Sequence, residues 1–573
     1  MLRLSYFISL AIVVMSLLVT LIPTEQVWCI GDIAFACIVP LTLLAASFVA
    51  VTSEKCIRVE TTDIVLVSWC LFTIGYAYVY PNFPAASVVV RSILLLMLFF
   101  ALRVCIARHK SLSDILAILI VVISLVETLL GIYQAVTGCS RNSHFQMTGT
   151  FQNPGPYGTL ISCGLITLLS FRKKFATVIK THRYSSLINV ALFLVITIML
   201  LVLMMTMSRA AILALVVCIS FLYRDKIRKH LLPFCIFFII SSLAFYLIKQ
   251  NSADSRLIIW QVSLQNIAMY PIIGTGPGSF LHQYADGMAI LSSAMPDGYL
   301  NATDVVQYAF SFLLLIGVEQ GLIGLTFAIT LIFVIFIRLR SSNDVLKWTL
   351  SLLFVTSFFS YTFELLPFQI LIVMVCASIF SEGNTCNASY RAFSVLALFL
   401  CLAVSICVIP FVNNRVRANK RYQKISGTMT TEYIQDYSAL YPYMNDNPVF
   451  LYDFACILSN GLRFRDSNAV LREGILVSAD PMFFVLQANN YRNMGELNMA
   501  EEYYNRAFAV MPNRLYPLYR MMRLYAEQPE RLSDALSTAK RIIAFPVKIA
   551  SPVTEQMKDE ARCMIADYSS EKQ

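Results

Sequence analysis

Tyr-Pro-Ile-Ile-Gly-Thr-Gly-Pro-Gly (270–278) sits inside a stretch that opens with Ser-Arg-Leu-Ile-Ile-Trp (255–260) and closes with Gly-Val-Glu-Gln-Gly-Leu-Ile-Gly (317–324). Apolar runs bound this stretch on both sides, whereas the loop at 249–305 is too polar to enter lipid. In a chain otherwise so hydrophobic, a long polar loop is where chemistry outside the bilayer can be housed. The chain ahead of it reads as membrane scaffold, and the part beyond residue 412 as a soluble appendage.

Across the whole chain, the 573 residues are 58% hydrophobic and 14% charged. A soluble domain carries roughly 25% charged residues, so the composition defines a polytopic membrane protein. The net charge of +10 comes from basic residues gathered in short loops between apolar runs. That is how topology determinants are distributed, and it speaks against a nucleic-acid partner. Most of the fifteen cysteines lie within apolar runs, and no CxxC pair or Cys/His metal spacing occurs. Neither a zinc site nor a disulfide framework is supported. The first apolar run, 4–22, is longer than a signal-peptide core and reads as a retained span.

A span needs roughly 20 apolar residues. The pattern predicts an all-α polytopic bundle of about 12–13 spans, near 4–22, 31–51, 63–80, 85–106, 112–133, 156–171, 187–207, 209–223, 231–248, 306–337, 347–365, 367–381 and 392–412. With the N-terminus cytoplasmic, Lys and Arg concentrate in the inner loops and leave the short outer loops with only Arg91, Arg141 and Arg209. This asymmetry puts the 249–305 loop on the outer face. One cluster runs against the scheme: Arg415, Arg417, Lys420, Arg421 and Lys424 directly follow the last span, on the side where the count places the tail.

Residues 413–573 read as a soluble helical domain. Within it, 481–514 fit one 34-residue tetratricopeptide unit, with Ala488, Tyr491, Gly495, Ala500, Tyr504, Ala507 and Pro512 at the required offsets from Pro481. Flanking stretches are helical and degenerate. Arrays of this kind bind extended partners, so the tail is expected to dock a partner and not to catalyse.

Arg209 lies between two apolar runs at the outer edge, and Arg256 a few residues beyond a span, ahead of Trp260. Two outward guanidinium groups at the membrane surface suit a phosphate or pyrophosphate; alternatively, both reach to lipid headgroups. The Gly274, Gly276, Gly278 run has no preceding strand and no following Lys-Ser/Thr, so a tight re-entrant turn fits better than a nucleotide loop. Outer carboxylates are Asp254, Asp286, Asp297 and Asp304, with Glu364 at an outer turn, and His144 and His282 are the outer histidines. Glu319 falls inside the tenth span, where a carboxylate serves either as a functional group or as a helix-packing hydrogen bond. Gly-Thr-Phe-Gln-Asn-Pro (149–154) opens a span from the outside, with Asn153 and Pro154 placed to start the helix.

Together, Gly-Thr-Phe-Gln-Asn-Pro (149–154), Ser-Arg-Ala-Ala (208–211), Arg256 to Trp260, Pro-Ile-Ile-Gly-Thr-Gly (271–276) and Glu-Gln-Gly-Leu-Ile-Gly (319–324) resemble the O-antigen ligase / O-antigen polymerase (Wzy-C) superfamily in order and spacing, over roughly residues 60–410. Some members also carry a tetratricopeptide tail. The resemblance implies a GT-C-like inner-membrane glycosyltransferase working at the periplasmic face. It would move a glycan from an undecaprenyl-diphosphate carrier to lipid A–core, to a growing glycan or to a protein hydroxyl, with no metal, nucleotide sugar or other cofactor. It also implies that Arg209 and Arg256, which occupy the matching motifs, bind the donor's diphosphate. One departure stands out. The ligase pattern has a histidine followed by Asn, Ser or Gln, with a Gly-x-x-Gly further along, and counting back from Gly321 and Gly324 puts Phe310-Ser311 in that place. Phenylalanine cannot accept a proton. Glu319 first, then His282 and Asp304, are the expected substitutes.

Overall fold

The computed structural model describes residues 2–22, 28–52, 55–57, 59–80, 85–176, 181–227, 247, 250–295, 300, 303–342, 344–381, 383–385, 388–428, 430–547 and 550–571. The hydrophobic part is built from helices α1 (Leu2–Val19), α2 (Ile30–Thr52), α3 (Thr61–Val79), α4 (Ala86–Arg108), α5 (Ser111–Thr137), α6 (Pro154–Lys174) and α7 (Ser185–Met205). It continues with α8 (Arg209–Leu222), α9 (Gln250–Met269), α10 (Phe280–Ala294), α11 (Phe312–Ser341), α12 (Lys347–Ser357), α13 (Leu366–Ile379) and α14 (Ala388–Ile425). Every expected span but one overlaps a helix, although the helix within 347–365 ends at Ser357. The exception, 231–248, lies outside the described residues apart from residue 247, as does Asp297. Among the described residues, seven helices are long and apolar enough to cross a membrane, so the chain is a polytopic helical bundle.

Side chains that would seek a core in water instead ring this bundle. On α7, Leu187, Val190, Phe193 and Leu201 are all more than half exposed, the expected arrangement where lipid is the solvent. Inside, Ser and Thr return their hydroxyls to the helix backbone, as Thr42 does to Ile38 O and Thr167 to Cys163 O. That satisfies the hydroxyl without water.

Cross-links sort the helix ends onto two faces. On one, strand β1 (Lys55–Ile57) pairs antiparallel with β2 (Gly383–Thr385), and the buried Arg103 bonds Asp63 and the carbonyl of Phe380. Ser113, Asp344 and Ser378 share hydrogen bonds there too. On the other, Phe151 stacks on Phe368, Tyr76 Oη donates to Gly274 O, and Trp260 meets Phe359. The long polar loop belongs to this second face, the loop face. Helix α14 starts beside β2 and therefore ends on the loop face.

It does not stop where the apolar pattern stops. The expected boundary at 412 lies inside α14, which runs on to Ile425 and delivers the tail directly. Tail helices α15 (Ile434–Met444), α16 (Pro448–Asn460), α17 (Phe464–Val477), α18 (Met482–Asn493), α19 (Leu497–Val510), α20 (Leu515–Ala526), α21 (Leu532–Ala544) and α22 (Pro552–Glu571) pack each on the next. Gly495, at φ +80°, turns α18 into α19, and Ala488, Ala500 and Ala507 are fully buried between helices. Several contacts fasten the tail to the loop face. Asp446 accepts from Trp28 Nε1 at 2.7 Å and pairs with Arg415 at 3.0 Å. Arg506 pairs with Asp286 of α10 at 2.7 Å.

Candidate functional site

Arg209 is the first residue of α8. The chain enters through Met207, held at φ +52°, and Ser208, whose side chain does not cap the helix. Ser208 Oγ instead donates to Gly155 O at 3.3 Å, in the first turn of α6. Gly158 allows this approach, since a Cβ there would fall 2.7 Å from Ser208 Cβ. Asn153 caps α6 by accepting from Gly155 N at 2.9 Å. The starts of α6 and α8 are thereby held together, and both helix dipoles present their positive ends at one place.

Arg209 Nη2 donates to Ser252 Oγ at 3.2 Å. Ser252 and Arg256 are one turn apart on α9, so they share a face. The Arg256 guanidinium donates to Phe359 O at 2.8 Å and lies 4.8 Å above the Phe310 ring. Burial, then the charge of Arg209, pushes the Arg256 pKa down to about 10, with Tyr361 opposing. Thus the two arginines sit close enough to repel, and Arg256 is offset by a carbonyl and an aromatic face.

Aromatic rings floor this pair. Tyr308 stacks on Tyr361 at 4.1 Å, and Tyr361 meets Phe310 edge-on at 5.4 Å. Phe310 is held at φ +52°, a region in which His is enriched and which is costly for a bulky residue. Helix α12, with 11 residues, reaches only about 16 Å at 1.5 Å per residue. The turn at its end, carrying Phe359, Tyr361 and Glu364, is therefore recessed relative to a full span.

The glycine run and the Glu-Gln-Gly-Leu-Ile-Gly motif form one object. Helix α11 breaks at Gly321, where φ is +59° and ψ −154°. The freed carbonyls of Val318 and Glu319 accept from Thr275 N (3.0 Å) and Gly276 N (2.9 Å). The freed amides of Leu322 and Ile323 donate to Pro271 O (2.8 Å) and Ile272 O (3.2 Å). A loop has been threaded into a gap in a helix, satisfying all four groups. Two links to α3 brace it: Tyr76 Oη to Gly274 O, and Trp69 Nε1 to Gln320 Oε1 at 2.7 Å.

Of the expected acceptor-activating groups, Glu319 lies within this object. Its buried carboxylate accepts from the amides of Gly278 and Phe280, at the start of α10. His282 is turned toward the tail, with Nδ1 3.2 Å from Ile475 O and Nε2 3.4 Å from Asp286. Asp304 lies 3.5 Å from Arg514 of the tail. The arginines are brought together, whereas His282 and Asp304 stand at the tail interface. Sequence patterns gave no sign of Ser252, Phe359 or Tyr361 as site residues, because single turn residues carry no spacing signal. Glu364 was visible only as an outer carboxylate. It accepts from Ala309 N–H, and the charge of Glu319 is felt there.

The loop face of this helical bundle thus brings two guanidinium groups and a broken helix together. Residues 192–329 match the family model Wzy_C, described as O-antigen ligase. The matched segment holds Arg209, Arg256, the glycine loop, Phe310 and the break at Gly321, and it supports the O-antigen ligase superfamily for this chain. No curated protein matches the chain.

Proposed function

We propose that the chain is an inner-membrane glycosyltransferase of O-antigen-ligase type that moves a glycan from an undecaprenyl-diphosphate carrier to an acceptor hydroxyl at the loop face, which is periplasmic. The observation that carries this is the convergence of Arg209, Arg256 and the starts of α6 and α8. When the anomeric carbon parts from its leaving group, negative charge builds on the diphosphate. Fixed positive groups placed there stabilise that transition state more than the ground state. For Glu319 we propose a positioning role, holding the glycine loop against α10 through its two amide partners. The tail, of tetratricopeptide-like architecture, would hold an acceptor or partner protein over the site, since it is fastened to α10. Lipid A–core, a growing glycan and a protein hydroxyl are all compatible acceptors.

Phe310 favours a second possibility: a polysaccharide-assembly scaffold that kept the fold without the chemistry. Complementation separates the two. In cells lacking this chain, Arg209→Ala and Arg256→Ala at matched membrane levels should leave glycan on the lipid carrier, while wild type clears it. Full complementation by both variants would favour the scaffold.

A further inference from the structure

If the chain transfers glycans, something must take the proton from the acceptor hydroxyl, and the residue in the histidine slot cannot. The turn Thr362–Glu364 wraps this slot from the α12–α13 side. Tyr361 touches the Phe310 ring, and the Glu364 carboxylate reaches the amide of Ala309, the residue just before Phe310. The same turn begins at Phe359, whose carbonyl holds Arg256. Thus one short segment touches both the donor-binding arginine and the backbone of the vacant base position. The Glu364 carboxylate is partly buried and lies within the field of Glu319. By contrast, Glu319 spends its carboxylate on two amides, and His282 and Asp304 face the tail.

We propose that Glu364 replaces the missing histidine as the catalytic base of this chain. This assignment rests on the proposed glycosyltransferase function. In the step, the acceptor O–H bond breaks and its proton passes to the Glu364 carboxylate. The hydroxyl oxygen bonds to the anomeric carbon, and the bond from that carbon to the diphosphate oxygen breaks. Its electron pair leaves with undecaprenyl diphosphate, held by Arg209 and Arg256. Glu364 then returns the proton to solvent.

Glu364→Gln is the informative variant, because the amide oxygen can still accept from Ala309 N–H while the basic group is gone. Full-length chain carrying Glu364→Gln, Glu364→Asp, Glu364→Gln with Phe310→His, or Arg256→Ala is compared with wild type. Three readouts are taken: clearance of lipid-linked glycan in cells lacking the native chain, thermal stability, and binding of undecaprenyl diphosphate to purified protein. Glu364→Gln should melt and bind undecaprenyl diphosphate as wild type does, yet transfer about 100-fold more slowly or worse, the usual scale of general-base catalysis. Glu364→Asp should retain part of the rate. Adding Phe310→His to Glu364→Gln should restore transfer, since it returns a base to the slot at a backbone angle that histidine tolerates. Transfer by Glu364→Gln within threefold of wild type overturns the assignment. So does a loss that tracks melting or carrier binding and is not recovered by Phe310→His. If Arg256→Ala binds the carrier and transfers normally, the donor site has failed and takes this base with it.

Discussion

At the scale of single residues, Gly274 and Gly321 are the least replaceable positions near the site. A Cβ on Gly321 would lie 2.5 Å from Ile272 O, and one on Gly274 would lie 2.6 Å from the backbone of Glu319 and Gln320. Both also need positive φ, so alanine at either adds strain of about 1–3 kcal/mol before the clash is counted. Either substitution should sharply lower the yield of folded chain in detergent, as size-exclusion profiles would show; normal yield of both would mean the loop does not enter the helix. Arg256 allows a second test. Its guanidinium keeps its charge across this range, so undecaprenyl-diphosphate binding should stay level from about pH 8 to 10. Removing its charge-assisted bonds should weaken binding roughly ten- to hundredfold. A fall within that range would point to another group. The sequence made both arginines legible, because a guanidinium at a span edge is conspicuous. It concealed Phe359 and Tyr361, which act through a carbonyl and a ring and obey no spacing rule.

Among elements, α11 behaves as two half-helices with a borrowed loop between them. Its two motifs could be read separately in the sequence, and each glycine run announced a tight turn. Their union could not be read, because hydrogen bonding between 271–276 and 318–323 joins backbone groups whose side chains carry no pattern. Glu319 seals that union. Glu319→Ala should strip two amides at the start of α10 of their acceptor, at a cost of about 1–3 kcal/mol. Glu319→Gln keeps an acceptor oxygen and should lose much less. Thermal melts of the two variants beside wild type would decide it: equal stability would mean that the carboxylate does not brace the loop.

For the whole molecule, two residues of the basic cluster after the last span have partners within the tail. Arg415 pairs with Asp446 and lies 4.8 Å over Trp28, and Arg421 pairs with Asp436. These charges hold the tail and so do not act as loose topology markers. Asp446→Ala would leave Arg415 without its carboxylate in a largely buried place, which costs on the order of 3 kcal/mol. It should expose the tail to limited proteolysis ahead of the bundle. In intact cells, a cysteine placed at the exposed Asp559 should react with an impermeant thiol reagent from the same side as one placed at Ser252, in a background cleared of native exposed cysteines. Opposite labelling would break the assignment of tail and loop to one face. Alternation of apolar runs was enough to foresee the bundle; the docking of tail on loop was not, since it depends on apolar packing and ion pairs between distant segments. Helix α14 gives this arrangement a further property. It carries the chain from lipid to tail as one helix of 38 residues, with Pro410 inside it, so the angular setting of the tail is geared to the membrane. Each residue added between 418 and 425 would rotate the tail by about 100° about the helix axis, and four would bring it nearly full circle. Function should therefore return with the helical period, not decline steadily with insert length.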